Sequence, residues 1–204
     1  MTILSVNKTR ELMGALRSFF MGWVRAAPIF RCLGDIMNQK VKFIVRAAII
    51  AAMYVVLTHL QNILLPGSAS MAIQFRVSEA LCVLAFFTPA AIPGLAVGCL
   101  LFNISSAGAL PLDFLVGTAA SALAAAGMWL TRKVTIRSFP LPGLLMPALF
   151  NAFLVGWELT HYVGGGFWLN ALYVAIGEAA VLLTLGTSLY YTIHGRRLER
   201  VLFR

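Results

Sequence analysis

Residues 71–106 read MAIQFRVSEALCVLAFFTPAAIPGLAVGCLLFNISS. A membrane-spanning helix needs about 20 mostly apolar residues, and this stretch is too long for one. Thr88, Pro89 and Pro93 break it in the middle, because a proline cannot continue a helix without losing a backbone hydrogen bond. The stretch therefore predicts two shorter helices, near Met71–Phe87 and Ala90–Ile104, joined by a tight turn. Four plainer spans flank it: Phe43–Leu60 before, and Pro111–Leu130, Leu141–Val163 and Phe167–Ile193 after. The expectation is an all-α integral membrane protein built as a six-transmembrane-helix bundle.

Composition supports that reading. Of the 204 residues, 60% are hydrophobic and only 11% charged, whereas a soluble domain carries charge on roughly a quarter of its residues. The formal net charge of +9 would suggest nucleic acid in a soluble protein. Here the basic residues sit in short clusters beside apolar spans, so topology explains them and nucleic-acid binding is set aside. Cys32, Cys82 and Cys99 are scattered, without metal-type spacing, and read as small packing residues. No metal or cofactor site is expected.

Threading six spans with the N-terminus inside puts all of the 16 Lys and Arg except Arg76 on the cytoplasmic side. Five or seven spans would split the clusters across the membrane, so the positive-inside rule favours N-in and C-in. The chain then divides into a basic extension, 1–40, a membrane domain, 41–194, and a basic cytoplasmic tail, 195–204. The extension mixes Phe19, Phe20, Trp23 and Phe30 with spaced arginines. It reads either as an interfacial amphipathic helix or as a flexible extension ahead of a start at Met37.

Polar groups inside a bilayer are expensive and mark candidate sites. Once the orientation is fixed, they fall in the outer half of the bundle. Gln74, Arg76 and Glu79 lie on the second helix, Asn103 ends the third and Asp113 opens the fourth. Asn151, Trp157, Glu158 and His161 occupy the fifth; Asn170, Tyr173 and Glu178 run inward along the sixth. Asn151 and Glu158, two helical turns apart, share a face, and Glu158 and His161 are neighbours at i,i+3. Four of the 7 Asp and Glu (Glu79, Asp113, Glu158, Glu178) gather here against Arg76 alone.

Plainer roles exist for several of them. Arg76 and Glu79 could neutralise each other, and Asn103 and Asn151 could bond helix to helix. Tyr162 and Trp168 suit an interfacial belt, and His59 suits an interfacial polar position. Glu158 and Glu178 are the hardest to dismiss, since neither helix offers them a basic partner. On the first helix, Ala47, Ala48, Ala51 and Ala52 form two overlapping small-xxx-small pairs, which let another helix approach closely. That strip serves either packing within the bundle or partner docking.

The stretch from Phe75 to Asn103, FRVSEALCVLAFFTPAAIPGLAVGCLLFN, and the stretch from Phe167 to Glu178, FWLNALYVAIGE, resemble the QueT family, substrate-binding S components of energy-coupling factor (ECF) transporters. Asn151 through Glu158 extend the similarity, which covers about residues 40–194. The resemblance implies a multi-pass subunit of a prokaryotic cell membrane that binds queuosine precursors, deazaguanine bases such as preQ1 or queuine. It implies as partners a membrane scaffold subunit and two separate ATPase subunits, so the chain itself is not an enzyme. The absence of a Gly-rich Lys-Ser/Thr phosphate loop agrees with that division. It also gives Ala47/Ala51 and Ala48/Ala52 the role of docking to the scaffold.

A guanine-like edge presents two adjacent N–H donors, which one carboxylate accepts together. Glu158 is the first candidate and Glu178 the second. Trp157 or Tyr173 would stack on the base, and Asn103, Asn151 and Asn170 would bond its carbonyl and ring nitrogens. Asp113 or Glu79 would pair with an aminomethyl cation; Gln74 and His161 complete the list. The outer loop Gln61–Ser70, with Pro66 and Gly67, would close over the ligand. A proton-coupled secondary transporter of a nucleobase-like or vitamin substrate, working through Glu158, His161 or Glu178, is the alternative. An intramembrane enzyme fits poorly, because His59, His161 and His194 lie on different spans without catalytic or metal-ligand spacing.

Overall fold

The computed structural model describes residues 38–66, 75–106, 112–137 and 139–195, with positions 14, 18 and 199. Gln74, the expected extension before Asn38, and most of the outer loop beyond Pro66 lie outside the described residues. Within them the regular structure is helical, apart from a single bridge between Ile136 and Phe139. In chain order the elements are α1 (Gln39–Leu64), a 3-10 helix (Val77–Phe86), α2 (Ala91–Ser105) and α3 (Asp113–Thr131). Then come α4 (Leu141–Leu144), α5 (Met146–Tyr162), α6 (Phe167–Val181), a π-helical turn (Leu182–Gly186) and α7 (Thr187–Gly195).

Among the described residues, four helical stretches are long and apolar enough to cross a membrane: Gln39–Leu64, Asp113–Thr131, Leu141–Tyr162 and Phe167–Gly195. They coincide with the four plain spans read from the sequence. The long stretch divides where Thr88 and Pro89 stand, and the Thr88 hydroxyl accepts from the Ala90 N–H at 3.3 Å. Pro93 falls in the first turn of α2, where a missing N–H costs nothing because that donor has no partner within the helix. The two pieces are shorter than a bilayer. Ten residues of 3-10 helix rise about 20 Å, and the 15 residues of α2 about 22 Å, against a hydrocarbon core of about 30 Å.

The first piece departs from the expected winding. It is a 3-10 helix, with Glu79 N–H bonded to Arg76 O and Phe87 N–H to Leu84 O, both at 3.0 Å. Every residue from Val77 to Ala85 is buried. Hydropathy cannot separate the two windings when all faces are covered, and Ser78, Ala80, Cys82 and Ala85 keep this rod slender. It lies in the middle of the molecule, touching α1, α2, α3, α6, the π turn and α7. Around it α1 packs on α2, α2 on α3, α3 on α5 and α5 on α6.

Small residues set these approaches. A Cβ on Gly94 of α2 would stand 2.8 Å from Ala47 O, and one on Gly98 would stand 2.7 Å from Tyr54 Cβ and 3.0 Å from Ala51 O. A Cβ on Gly156 of α5 would meet Ala171 Cα at 2.8 Å. Backbones this close gain dispersion contacts, the main attraction between helices in lipid. The outward faces are apolar, carrying Ile44, Ile63, Leu115, Leu123, Leu130 and Leu172, as a surface solvated by acyl chains should be.

Candidate functional site

Polar chemistry is concentrated where the 3-10 helix meets α1, α3 and α6, with α5 packed against α3 and α6. Glu79, on the rod, is fully enclosed. It accepts from the Tyr54 hydroxyl of α1 at 2.9 Å, the Cys82 thiol at 3.2 Å and the Ser121 hydroxyl of α3 at 3.4 Å. Cys82 reaches it because residues three apart eclipse each other in a 3-10 helix. Gln61, near the end of α1, holds the chain that enters the rod: its Nε2 donates to Phe75 O and its Oε1 accepts from Val77 N–H at 2.8 Å. Gln61 therefore fixes the backbone that presents Arg76 and Glu79.

Asn103 joins the end of α2 to the start of α3, donating to Asp113 O at 2.7 Å. A Cβ on Gly117, one turn beyond Asp113, would fall 2.9 Å from Asn103 Nδ2 and 3.9 Å from Arg76 Nη1. The glycine thus leaves room for the Asn103 amide. Arg76 lies in the field of Asp113, Glu178 and Glu158, so it answers several carboxylates and not simply its neighbour Glu79.

Two carboxylates are left over. Glu158 of α5 and Glu178 of α6 are buried, at 0% and 1% exposure, and none of their four oxygens has a hydrogen-bond partner. The amide nitrogen of Asn151, also buried, is likewise unpartnered. Glu158 is within electrostatic reach of Asp113 and Arg76, and Glu178 of Glu79 and Arg76. Burying a carboxylate without a partner costs several kcal/mol, and a fold does not keep two such groups for stability. The cluster offers acceptor oxygens, one amide donor and an excess of negative charge over the single guanidinium. Among the described residues no group of three or more His, Cys, Asp and Glu has the geometry to hold a metal ion.

The structure thus brings Glu79, Asn103, Asp113, Asn151, Glu158 and Glu178 into one cluster and puts other predicted residues elsewhere. Asn170 donates to Thr160 Oγ1 and to Gly164 O, both at 3.0 Å. It pins the turn in which Gly164 and Gly165 take φ of 86° and 85°, a conformation open to glycine. Trp157 and His161 are exposed on α5 and stack on each other, ring centroids 5.7 Å apart. Tyr173 is half-buried on α6. On α1, Ala51 is buried against α2 while Ala48 and Ala52 face outward.

Sequence reasoning missed Tyr54 and Ser121 and undervalued Arg76. A tyrosine inside an apolar span was the available signal, since a buried phenol hydroxyl needs a partner. Ser121 carried none, being a small residue in a run of alanines.

Residues 44–195 match the family model described as QueT transporter. No curated protein matches the chain, and no solved structure does.

Proposed function

The chain belongs to the QueT transporter family, and from that premise we propose that it is the substrate-binding S component of an ECF-type importer of queuosine precursors. The observation that carries the ligand class is the pairing of Glu178 with Asn151. Both groups are buried without a hydrogen-bond partner, on α6 and α5, helices that pack against each other. A deazaguanine edge offers the complement: two N–H donors for the carboxylate and a neighbouring carbonyl for the amide. Hydrogen bonds of this kind to a charged group are each worth about 1.5–3 kcal/mol. The pairing supports giving the base edge to Glu178 and Asn151, which leaves Glu158 for another part of the ligand.

The membrane domain, 41–194, is read as six spans with both ends inside, the 3-10 helix and α2 forming the two short ones. The basic segments 1–40 and 195–204 then lie in the cytoplasm. A membrane scaffold and two ATPase subunits would supply the energy. Ala48 and Ala52, outward on α1, are the part of the alanine strip still free to meet the scaffold.

Calorimetry on the purified chain alone tests this reading. Aminomethyl deazaguanine or queuine binds without any ATPase present, and Glu178→Gln weakens binding by about tenfold or more. Absence of binding to a folded, monodisperse sample, or unchanged affinity in Glu178→Gln, would sink it.

A further inference from the structure

One membrane-length stretch ends at Thr131 and the next begins at Leu141, so residues 132–140 lie at a membrane surface. Trp129 and Arg132 mark its level. The Arg132 guanidinium donates to Trp129 O at 2.7 Å and stands 3.5 Å over the indole, an amphipathic pair of the kind that settles among lipid headgroups. Beyond it, Ile136 and Phe139 exchange both backbone hydrogen bonds, at 2.8 and 3.0 Å, which closes a tight turn. Phe139 ties that turn to α7, stacking on Tyr191 with centroids 5.8 Å apart and meeting Tyr190 edge-on at 6.0 Å.

The side chains on display suit lipid better than water. Val134 and Ile136 are 52% and 54% exposed. Residues 134–136 carry no helix and run into the bridge. In such a run alternate side chains take opposite sides, so Val134 and Ile136 share one side and Thr135 takes the other. Lys133 and Arg137, both exposed, flank them. No Asp or Glu occurs between Asp113 and Glu158, so the segment itself carries no negative charge. Arg137 sits at φ 49°, a left-handed conformation that glycine takes freely and other residues take at a cost. The turn thus holds a cation where the backbone alone would favour a glycine.

We propose that this turn is a binding site for anionic phospholipid. Val134 and Ile136 enter the acyl boundary of the leaflet, and Lys133 and Arg137 meet the headgroup phosphates. Apolar burial and attraction to anionic lipid add together on such a surface. Arg132, folded onto Trp129, completes the basic rim. The site goes beyond transport and requires neither the ligand nor the energising subunits, so it stands or falls separately from the function proposed above.

Two measurements on the full chain test it. The first is heat stability in detergent with added phosphatidylglycerol or phosphatidylcholine. Phosphatidylglycerol is expected to protect the native chain at the lower concentration, and Lys133→Gln and Arg137→Gln each to raise the concentration needed by about fivefold. Arg137→Gly separates lipid binding from folding. It suits the turn, so in neutral lipid it is expected to melt no lower than the native chain, while responding to phosphatidylglycerol as Arg137→Gln does. Equal protection by both lipids overturns the site. So does a native response in the double glutamine variant, which would place the lipid elsewhere on the chain. The second measurement is depth, from spin labels on Val134→Cys, Thr135→Cys and Ile136→Cys in nanodiscs containing phosphatidylglycerol, with the native cysteines replaced. Labels at positions 134 and 136 are expected to collide mainly with oxygen dissolved in lipid, and the label at 135 with a nickel chelate dissolved in water. Equal access of nickel to all three puts the turn in water and overturns the proposal. Shielding of all three that appears only with a copurified protein assigns the surface to that partner and also overturns it.

Discussion

Tyr54 donates to a carboxylate 25 residues further along the chain, and its phenol is the one signal in its neighbourhood. It sits in the run Ala51-Ala52-Met53-Tyr54-Val55-Val56-Leu57, where every other residue reads as lipid-facing or packing filler. Its hydroxyl is one of three donors that make a fully enclosed Glu79 tolerable. Tyr54→Phe is therefore expected to lower stability by about 1–3 kcal/mol, the penalty for leaving a buried acceptor short of a donor. Thermal unfolding in detergent reads this directly, and an unchanged midpoint would show that Cys82 and Ser121 suffice. Glu158 and Glu178 stood out for the opposite reason: a carboxylate in an apolar span is hard to explain by packing unless a basic partner is in view. Trp157 was ambiguous, because one residue along a helix is about 100° around it. Glu158 turns inward, and its neighbour turns out to stack on His161.

At the scale of elements, the sequence could show where the long stretch divides but not how its first half is wound. Prolines are local and their effect is local; the choice between α and 3-10 depends on what surrounds the rod, which no window of residues contains. The alanine strip of α1 reads for docking or for packing, and packing accounts for part of it. Ala47 and Ala51 are met by the glycines of α2, while Ala48 and Ala52 remain outward. The α1–α2 contact should then be sensitive to a single carbon. Gly98→Ala places a Cβ 2.7 Å from Tyr54 Cβ, and overpacking of this kind costs about 1–3 kcal/mol. Gly166→Ala, where nothing lies within 4 Å of the added carbon, is the control. If both variants melt together, the close approach of α1 and α2 carries no weight in stability.

At the scale of the whole molecule, the boundaries of the long spans among the described residues were largely readable, because lipid imposes a length and proline a boundary. The order of helices around the rod was not, since it is fixed by contacts between residues far apart in sequence. Orientation rests on the distribution of Lys and Arg and can be tested without knowledge of ligand. Thr135, exposed between α3 and α4, and Val163, exposed between α5 and α6, should lie on opposite sides of the membrane. In intact cells an impermeant maleimide is expected to label Val163→Cys and spare Thr135→Cys, in a background with the native cysteines replaced. The reverse pattern would put the termini outside and remove the charge argument for six spans.

The 3-10 rod has one more consequence, which comes from its arithmetic. With about three residues per turn, its side chains stand in straight files, whereas an α-helix would carry the same files around the axis by about 60° at each third residue. Glu79, Cys82 and Ala85 make one file, Ser78, Leu81 and Leu84 another, and Val77, Ala80, Val83 and Phe86 the third. The first begins at the Tyr54 and Ser121 hydroxyls; the third runs past Gly186 of the π turn and ends against Gly143 of α4. A displacement of one turn along the axis, about 6 Å, maps every file onto itself and turns no new face to any neighbour. The centre of this bundle is a straight-fluted rod, where an α-helix in the same place would be a screw.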